Sequence, residues 1–341
     1  NTGDILQYEI ASGDTTRIKN KSNWGEDEKS TEEDFIFSPN GKIVSFNLIV
    51  RDSVTKNWVY KLQLRDLDGV NLRTLYYDKN SSFIQPLDWS PDEKYILAVR
   101  SLRNKKIDEL IAISVADSSI HVLKNINSDY LGLVMAKYSP DGQFIAFSQT
   151  IKGSSPNSEI FVMRADGRYE SVIAEHPSED QFVRWTPDGR SLVFLSDRSG
   201  TWDLLMVRIA EGKQQGEPEL LKKDFGYNVW PVFGFAPDGS FYYKVDASSG
   251  GGLFDGGTID INSGKVLVLP SRVTTRYTGL PSVPTWSPDG KNMLYLSHRG
   301  TIGPSNNILT IRSTETGSER FLNPRLRFLN QYSWTPDSRS I

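Results

Sequence analysis

The chain has 341 residues, 39 Lys+Arg against 42 Asp+Glu, a net charge of −3 and no cysteine. Near-balanced charge provides no basic field for nucleic acid, and the lack of thiols excludes disulfides, thiolate metal sites and cysteine catalysis. No apolar stretch approaches the roughly 20 residues that span a bilayer, and no leader peptide is visible, as would also hold for a mature secreted chain.

In chain order, the sequence opens on two short strand patterns, Gly3-Asp4-Ile5-Leu6-Gln7-Tyr8 and Thr16-Arg17-Ile18. A motif of an aromatic, a small residue, a proline, an acid or amide and a turn residue then recurs seven times. The first four copies are Phe37-Ser38-Pro39-Asn40-Gly41, Trp89-Ser90-Pro91-Asp92-Glu93, Tyr138-Ser139-Pro140-Asp141-Gly142 and Trp185-Thr186-Pro187-Asp188-Gly189. The last three are Phe235-Ala236-Pro237-Asp238-Gly239, Trp286-Ser287-Pro288-Asp289-Gly290 and Trp334-Thr335-Pro336-Asp337-Ser338. Their prolines lie 52, 49, 47, 50, 51 and 48 residues apart, a period that marks one supersecondary unit per copy.

Each copy reads as a turn between strands. Proline presets φ, Asp or Asn favours the next position, and glycine accepts the left-handed conformation that closes a hairpin. Apolar runs follow at 43–46, 95–99, 144–147, 192–195 and 293–296, short and rich in branched and aromatic residues, as strands buried on both faces are. Third strands are expected at 159–163 and 203–207, and short fourth strands at 73–75 and 320–322. Four strands per ~50 residues make one propeller blade, and the seven motif aromatics are expected to pack between neighbouring sheets.

The polar residues carry less chemistry. Asp88, Lys137 and Arg184 precede the aromatic in three consecutive copies and read as a paired structural network on the innermost strands, a ligand site being the alternative. Asp197 and Asp203 read as loop caps rather than calcium ligands. Glu32-Glu33-Asp34 and Glu179-Asp180 read as solvated loops. The glycine-rich stretch 248–257 lacks the lysine and helix of a phosphate cradle and reads as a flexible loop. Of the three histidines, His121, His176 and His298, the last two fall on connections at one face and read as ordinary surface residues. No Gly-x-Ser-x-Gly elbow, Walker loop or His-Glu-x-x-His is present. No catalytic residue, metal or cofactor is expected.

The repeat resembles that of the TolB-type, WD40-like propeller family. The fourth unit carries the likeness best, with Trp185-Thr186-Pro187-Asp188-Gly189-Arg190, then Phe194-Leu195-Ser196-Asp197-Arg198-Ser199-Gly200 and Asp203-Leu204-Leu205. The resemblance implies a shape rather than an activity, because the family includes binding, scaffold and sensor domains as well as the lids of prolyl-oligopeptidase-like enzymes. It also favours a bacterial periplasmic or cell-surface location.

The expected architecture is an all-β, seven-bladed propeller occupying 1–341 as one domain, with four antiparallel strands per blade. Residues 21–330 form six blades. The closing blade takes its third and fourth strands from 1–20 and its first strand and the start of its second from 331–341, as ring closure requires. That second strand is cut off after two residues, so the chain reads as a piece of a longer polypeptide. The long, individual connections are where a ligand is expected. Arg272, Arg276 and Tyr277 lie before the sixth motif, Arg325 and Arg327 before the seventh, and Phe225, Tyr227 and Trp230 before the fifth. Arginines beside aromatics suit an anionic ligand or a protein partner. The expected function is a non-catalytic interaction or sensor domain. The alternatives are an enzyme acting on acidic polysaccharide with His176, His298, Tyr277 and the arginines, or the substrate-filtering propeller of a peptidase whose catalytic domain lies outside this chain.

Overall fold

The computed structural model describes residues 6–17, 30–51, 55–68, 71–103, 107–126, 135–151, 157–225, 233–235, 241–246, 254–259, 266–268, 285–298, 307–322 and 332–341. Among these residues there is no helix. Strands β1 (Leu6–Tyr8) and β2 (Thr15–Arg17) form a two-stranded sheet, and six four-stranded sheets follow. The first sheet contains β3 (Ser30–Phe37), β4 (Ile43–Arg51), β5 (Trp58–Asp66) and β6 (Leu72–Tyr77). The second contains β7 (Ser81–Trp89), β8 (Tyr95–Leu102), β9 (Asp108–Ser114) and β10 (Ile120–Ile126), and the third β11 (Ala136–Tyr138), β12 (Phe144–Ile151), β13 (Asn157–Arg164) and β14 (Ser171–Ile173). The fourth contains β15 (Asp180–Trp185), β16 (Ser191–Ser196), β17 (Asp203–Ala210) and β18 (Lys213–Lys222). The fifth contains β19 (Phe233–Phe235), β20 (Phe241–Asp246), β21 (Phe254–Ile259) and β22 (Val266–Val268), and the sixth β23 (Thr285–Trp286), β24 (Asn292–His298), β25 (Asn307–Ser313) and β26 (Glu319–Leu322). In every sheet consecutive strands are neighbours, the meander of a propeller blade. In the third sheet, for example, Phe147 faces Ala136 on one side and Phe161 on the other.

The turn motif works through its small residue. The Ser90 hydroxyl donates to Asp92 Oδ1 at 2.7 Å and accepts the Tyr95 N–H at 2.9 Å. The same pair of bonds recurs at Ser139 with Asp141 and Phe144, at Thr186 with Asp188 and Ser191, at Ser287 with Asp289 and Asn292, and at Thr335 with Asp337 and Ser340. One hydroxyl therefore fixes the acid and the first N–H of the next strand, a side-chain substitute for backbone pairing. The closing residue has positive φ: 71° at Gly142 and 69° at Gly189, where glycine alone is unstrained.

The chain divides into two compact units, one made of Asn1–Leu6, Arg17–Leu195 and Val207–Pro218 and the other of Gln7–Thr16, Ser196–Met206 and Glu219–Ile341. In the first unit Trp89, buried with Leu62, Leu64, Leu75, Ile84 and Ile96, sends its indole N–H to the Ile36 carbonyl of the preceding sheet at 3.3 Å. Trp185 does the same to the Lys137 carbonyl at 3.2 Å. The second strands are buried on both faces as expected: Leu192, Val193, Phe194 and Leu195 are fully enclosed. In the second unit Trp334 packs with Leu294, Leu309, Ile311 and Leu322 and reaches the Thr285 carbonyl at 3.1 Å. There the two ends of the chain meet. Tyr8 and Ile341 exchange backbone bonds of 2.8 and 3.0 Å, Glu9 forms a bridge with Ser340, and the Ser340 hydroxyl donates to Glu9 Oε2 at 2.9 Å.

Four sequence expectations are corrected. Glu32 and Glu33 lie inside β3, paired with Leu48 and Asn47, and Asp34 sits on its bulge with φ of 57°. Asp180 opens β15 and is fully buried. Phe254-Asp255-Gly256-Gly257 forms part of β21, paired with β20, rather than a loop. Phe225 is core, with its N–H on the Trp202 carbonyl at 2.7 Å. In each case strand pairing or packing supplies partners that local composition does not reveal.

Candidate functional site

The polar residues on the first strands of the second, third and fourth sheets come together in the first unit. Lys137 Nζ donates to the Leu87 carbonyl at 2.6 Å and to Asp88 Oδ1 at 3.1 Å, while Asp88 Oδ2 accepts the Tyr138 N–H at 2.9 Å. Asp88 thus ties its sheet to both the side chain and the backbone of the next. The network reading holds for this pair, since both carboxylate oxygens serve the joint between sheets. Arg184 stands at the equivalent place one sheet on. Burial lowers its guanidinium pKa from the usual value, with the Asp88 charge acting in the opposite direction.

A second cluster was not legible in the sequence. Asp34 accepts the Asn47 amide at 2.9 Å and the Gln85 amide of the second sheet at 3.2 Å. Burial raises its carboxyl above the ordinary range, and the two amide bonds only partly offset this. The one sequence signal is an acid set directly against the apolar run Phe35-Ile36-Phe37.

Of the carboxylates and histidines weighed as metal or acid/base groups, Asp203 and His176 serve loops. Asp203, in the second unit, is buried and accepts the Ser199 and Thr201 hydroxyls at 2.6 and 3.0 Å and the Asp224 N–H at 2.8 Å. His176 Nδ1 faces the Ser178 hydroxyl and accepts the Ser178 N–H at 3.2 Å. His121 meets Tyr95 edge to face at 5.9 Å. His298 ends β24, opposite Asn307. Among the described residues no three His, Asp or Glu side chains are placed to share a cation.

Burial pushes the Asp203 carboxyl up, but its three donors outweigh burial and hold it below the reference value of 3.8. A depressed folded value contributes stability that is present above the unfolded value and lost as pH falls through the folded one. Thermal melts of Asp203→Asn and the parent between pH 5 and 2 are therefore expected to converge on the acid side. A constant gap down to the lowest pH would remove Asp203 from the acid limb.

Arg272, Arg276, Tyr277, Arg325, Arg327, Tyr227 and Trp230 all lie outside the described residues. The TolB β-propeller domain family matches residues 28–338. The chain belongs to this family. A 125-residue stretch of this TolB-type propeller, 35% of its length, is 32% identical to the uncharacterized peptidase YuxL of Bacillus subtilis strain 168 and makes up 18% of that protein. An oligogalacturonate lyase solved with manganese superposes with a TM-score of 0.65 at 13% identity, over 98% of this chain and 90% of that one. A prolyl endopeptidase structure gives 0.64 at 13% identity, over 94% of this chain and 48% of that one. At such identities the likeness to both structures is one of fold.

Proposed function

We propose that this TolB-type propeller is a non-catalytic interaction or sensor domain of a larger bacterial protein, periplasmic or at the cell surface. It takes a protein partner or small anionic ligand on its long connections. The observation that carries this reading is the use of its polar groups as scaffold: Asp88, Asp203 and His176 are all engaged in joints or loop caps. In this reading the ring has seven blades. Residues 21–330 make six, and 1–20 with 331–341 make the seventh, a division supported by the Glu9–Ser340 bridge. The ligand is held by Arg272, Arg276, Arg325 and Arg327 beside Tyr277, Tyr227 and Trp230, a guanidinium cluster flanked by aromatic faces.

The test is fluorescence anisotropy with two labelled probes, an oligogalacturonate and a poly-glutamate peptide. Joint Arg→Glu changes at 272, 276, 325 and 327 are expected to weaken binding of the preferred probe at least tenfold, about 1.4 kcal/mol. Undiminished binding would sink the assignment.

A second reading, an enzyme acting on acidic polysaccharide through His176, His298 and Tyr277, is favoured by one observation. The oligogalacturonate lyase matches this chain over nearly the full length of both proteins. New ultraviolet absorbance from an unsaturated product, on mixing the chain with oligogalacturonate and manganese, would replace the non-catalytic reading with this one.

A further inference from the structure

Two departures from the turn motif meet in space. Six copies carry aspartate directly after the proline, and the first carries Asn40 instead; five copies close on glycine, and the second carries Glu93. Glu93 takes the left-handed conformation at φ of 61° and turns its carboxylate onto the preceding copy. Its Oε1 accepts the Asn40 N–H at 2.7 Å and its Oε2 the Asn40 side-chain amide at 2.6 Å. The seventh copy repeats the juxtaposition, with the Ser338 hydroxyl accepting the Asp289 N–H at 3.0 Å. A side chain at the closing position of one copy therefore reaches the acid or amide position of the copy before it.

Asn40-Gly41 is also the chain's single Asn-Gly pair, the dipeptide in which a neighbouring backbone nitrogen most readily attacks the side-chain amide, because glycine presents no Cβ to block it. We propose that Asn40 is a deamidation site held shut by Glu93. In the open reaction Gly41 N attacks Asn40 Cγ and forms a C–N bond. The Cγ–Nδ2 bond breaks, and ammonia leaves with the proton from Gly41. Water then opens the succinimide to aspartate or isoaspartate. In the folded turn every participant is engaged. The Gly41 N–H donates to the Ser38 carbonyl at 2.8 Å, Asn40 Oδ1 accepts the Ser38 hydroxyl at 2.9 Å and the Lys42 N–H at 2.8 Å, and Nδ2 is on Glu93. The turn itself tolerates the product, since aspartate occupies this position in the other copies. What the product loses is Glu93: an amide donor becomes a carboxylate facing a carboxylate, and attraction between the first two sheets turns to repulsion.

The experiment ages the whole chain, the Glu93→Ala variant and the Glu93→Gln variant side by side at mildly alkaline pH, and measures aspartate and isoaspartate at position 40 by peptide mapping. Glu93→Ala is expected to deamidate roughly fivefold faster than the parent, the factor that corresponds to losing about 1 kcal/mol of hydrogen bonding, with Glu93→Gln in between. Asn40→Asp is expected to lower the melting midpoint by roughly 2–4 °C, and Asn40→Asp with Glu93→Gly to recover it. Equal deamidation rates in parent and Glu93→Ala, or an Asn40→Asp midpoint at the parent value, would overturn the proposal.

Discussion

Trp89→Ala is expected to lower the stability of the chain by about 3–5 kcal/mol, the range measured for removing a large aromatic from a packed core. Trp89 is 4% exposed and packs with residues of both the first and second sheets. Its removal therefore opens a cavity at a joint, where neither sheet can collapse without disturbing its own pairing. A further loss comes from the indole N–H bond to the Ile36 carbonyl, which also accepts the Ser45 hydroxyl. Trp89→Phe separates the two contributions: it keeps most of the ring and loses the bond, so about 1 kcal/mol of its cost belongs to the carbonyl. Urea denaturation should show the midpoint falling with little change in slope. A cost for Trp89→Ala below that of Trp89→Phe would refute the assignment of this residue as cement between sheets.

Glu109→Ala is the second large effect, expected at about 3–5 kcal/mol because it leaves a buried charge without its counter-ion. Glu109 Oε2 accepts Arg100 Nε at 2.8 Å and pairs with Nη2 at 2.7 Å, and the two side chains are 4% and 14% exposed. Burial pulls the Arg100 guanidinium down, and Glu109 together with Tyr76 more than restores it. The informative comparison is the double change Arg100→Met with Glu109→Leu. Replacing both charges with apolar groups removes the desolvation cost as well as the attraction, so much of the lost stability should return. A double variant as unstable as the single one would mean that the ion pair stabilises the sheet outright.

These two sites differ in how they could be foreseen. Trp89 was legible, because an aromatic two residues before each proline recurs in phase. Its hydrogen bond was not, since the partner is a backbone carbonyl 53 residues away. Arg100 and Glu109 face each other across β8 and β9, yet nothing in the local sequence pairs them, and the corresponding place in the third sheet holds Gln149 opposite Glu159. Asp34 was misread as solvated because solvation depends on Asn47 and Gln85 arriving from two other strands. The arginines and aromatics were singled out for their place on the long connections and as residue types suited to an anion.

By itself, the sequence determined what acts over a few residues: the repeated turn motif, the apolar strands between its copies and hence the repeating blade. Short-range geometry is set by proline, glycine and aspartate, whose preferences survive in almost any surroundings. The sequence grouped Asp88 with Lys137, but only the tertiary structure decided which atoms meet and which other side chains become joints. Asp88 reaching Lys137 and Tyr138, Glu93 holding Asn40, and Glu9 meeting Ser340 each join residues that the chain separates by tens or hundreds of positions. Their strength depends on burial and distance, and those are properties of packed sheets rather than of any one segment.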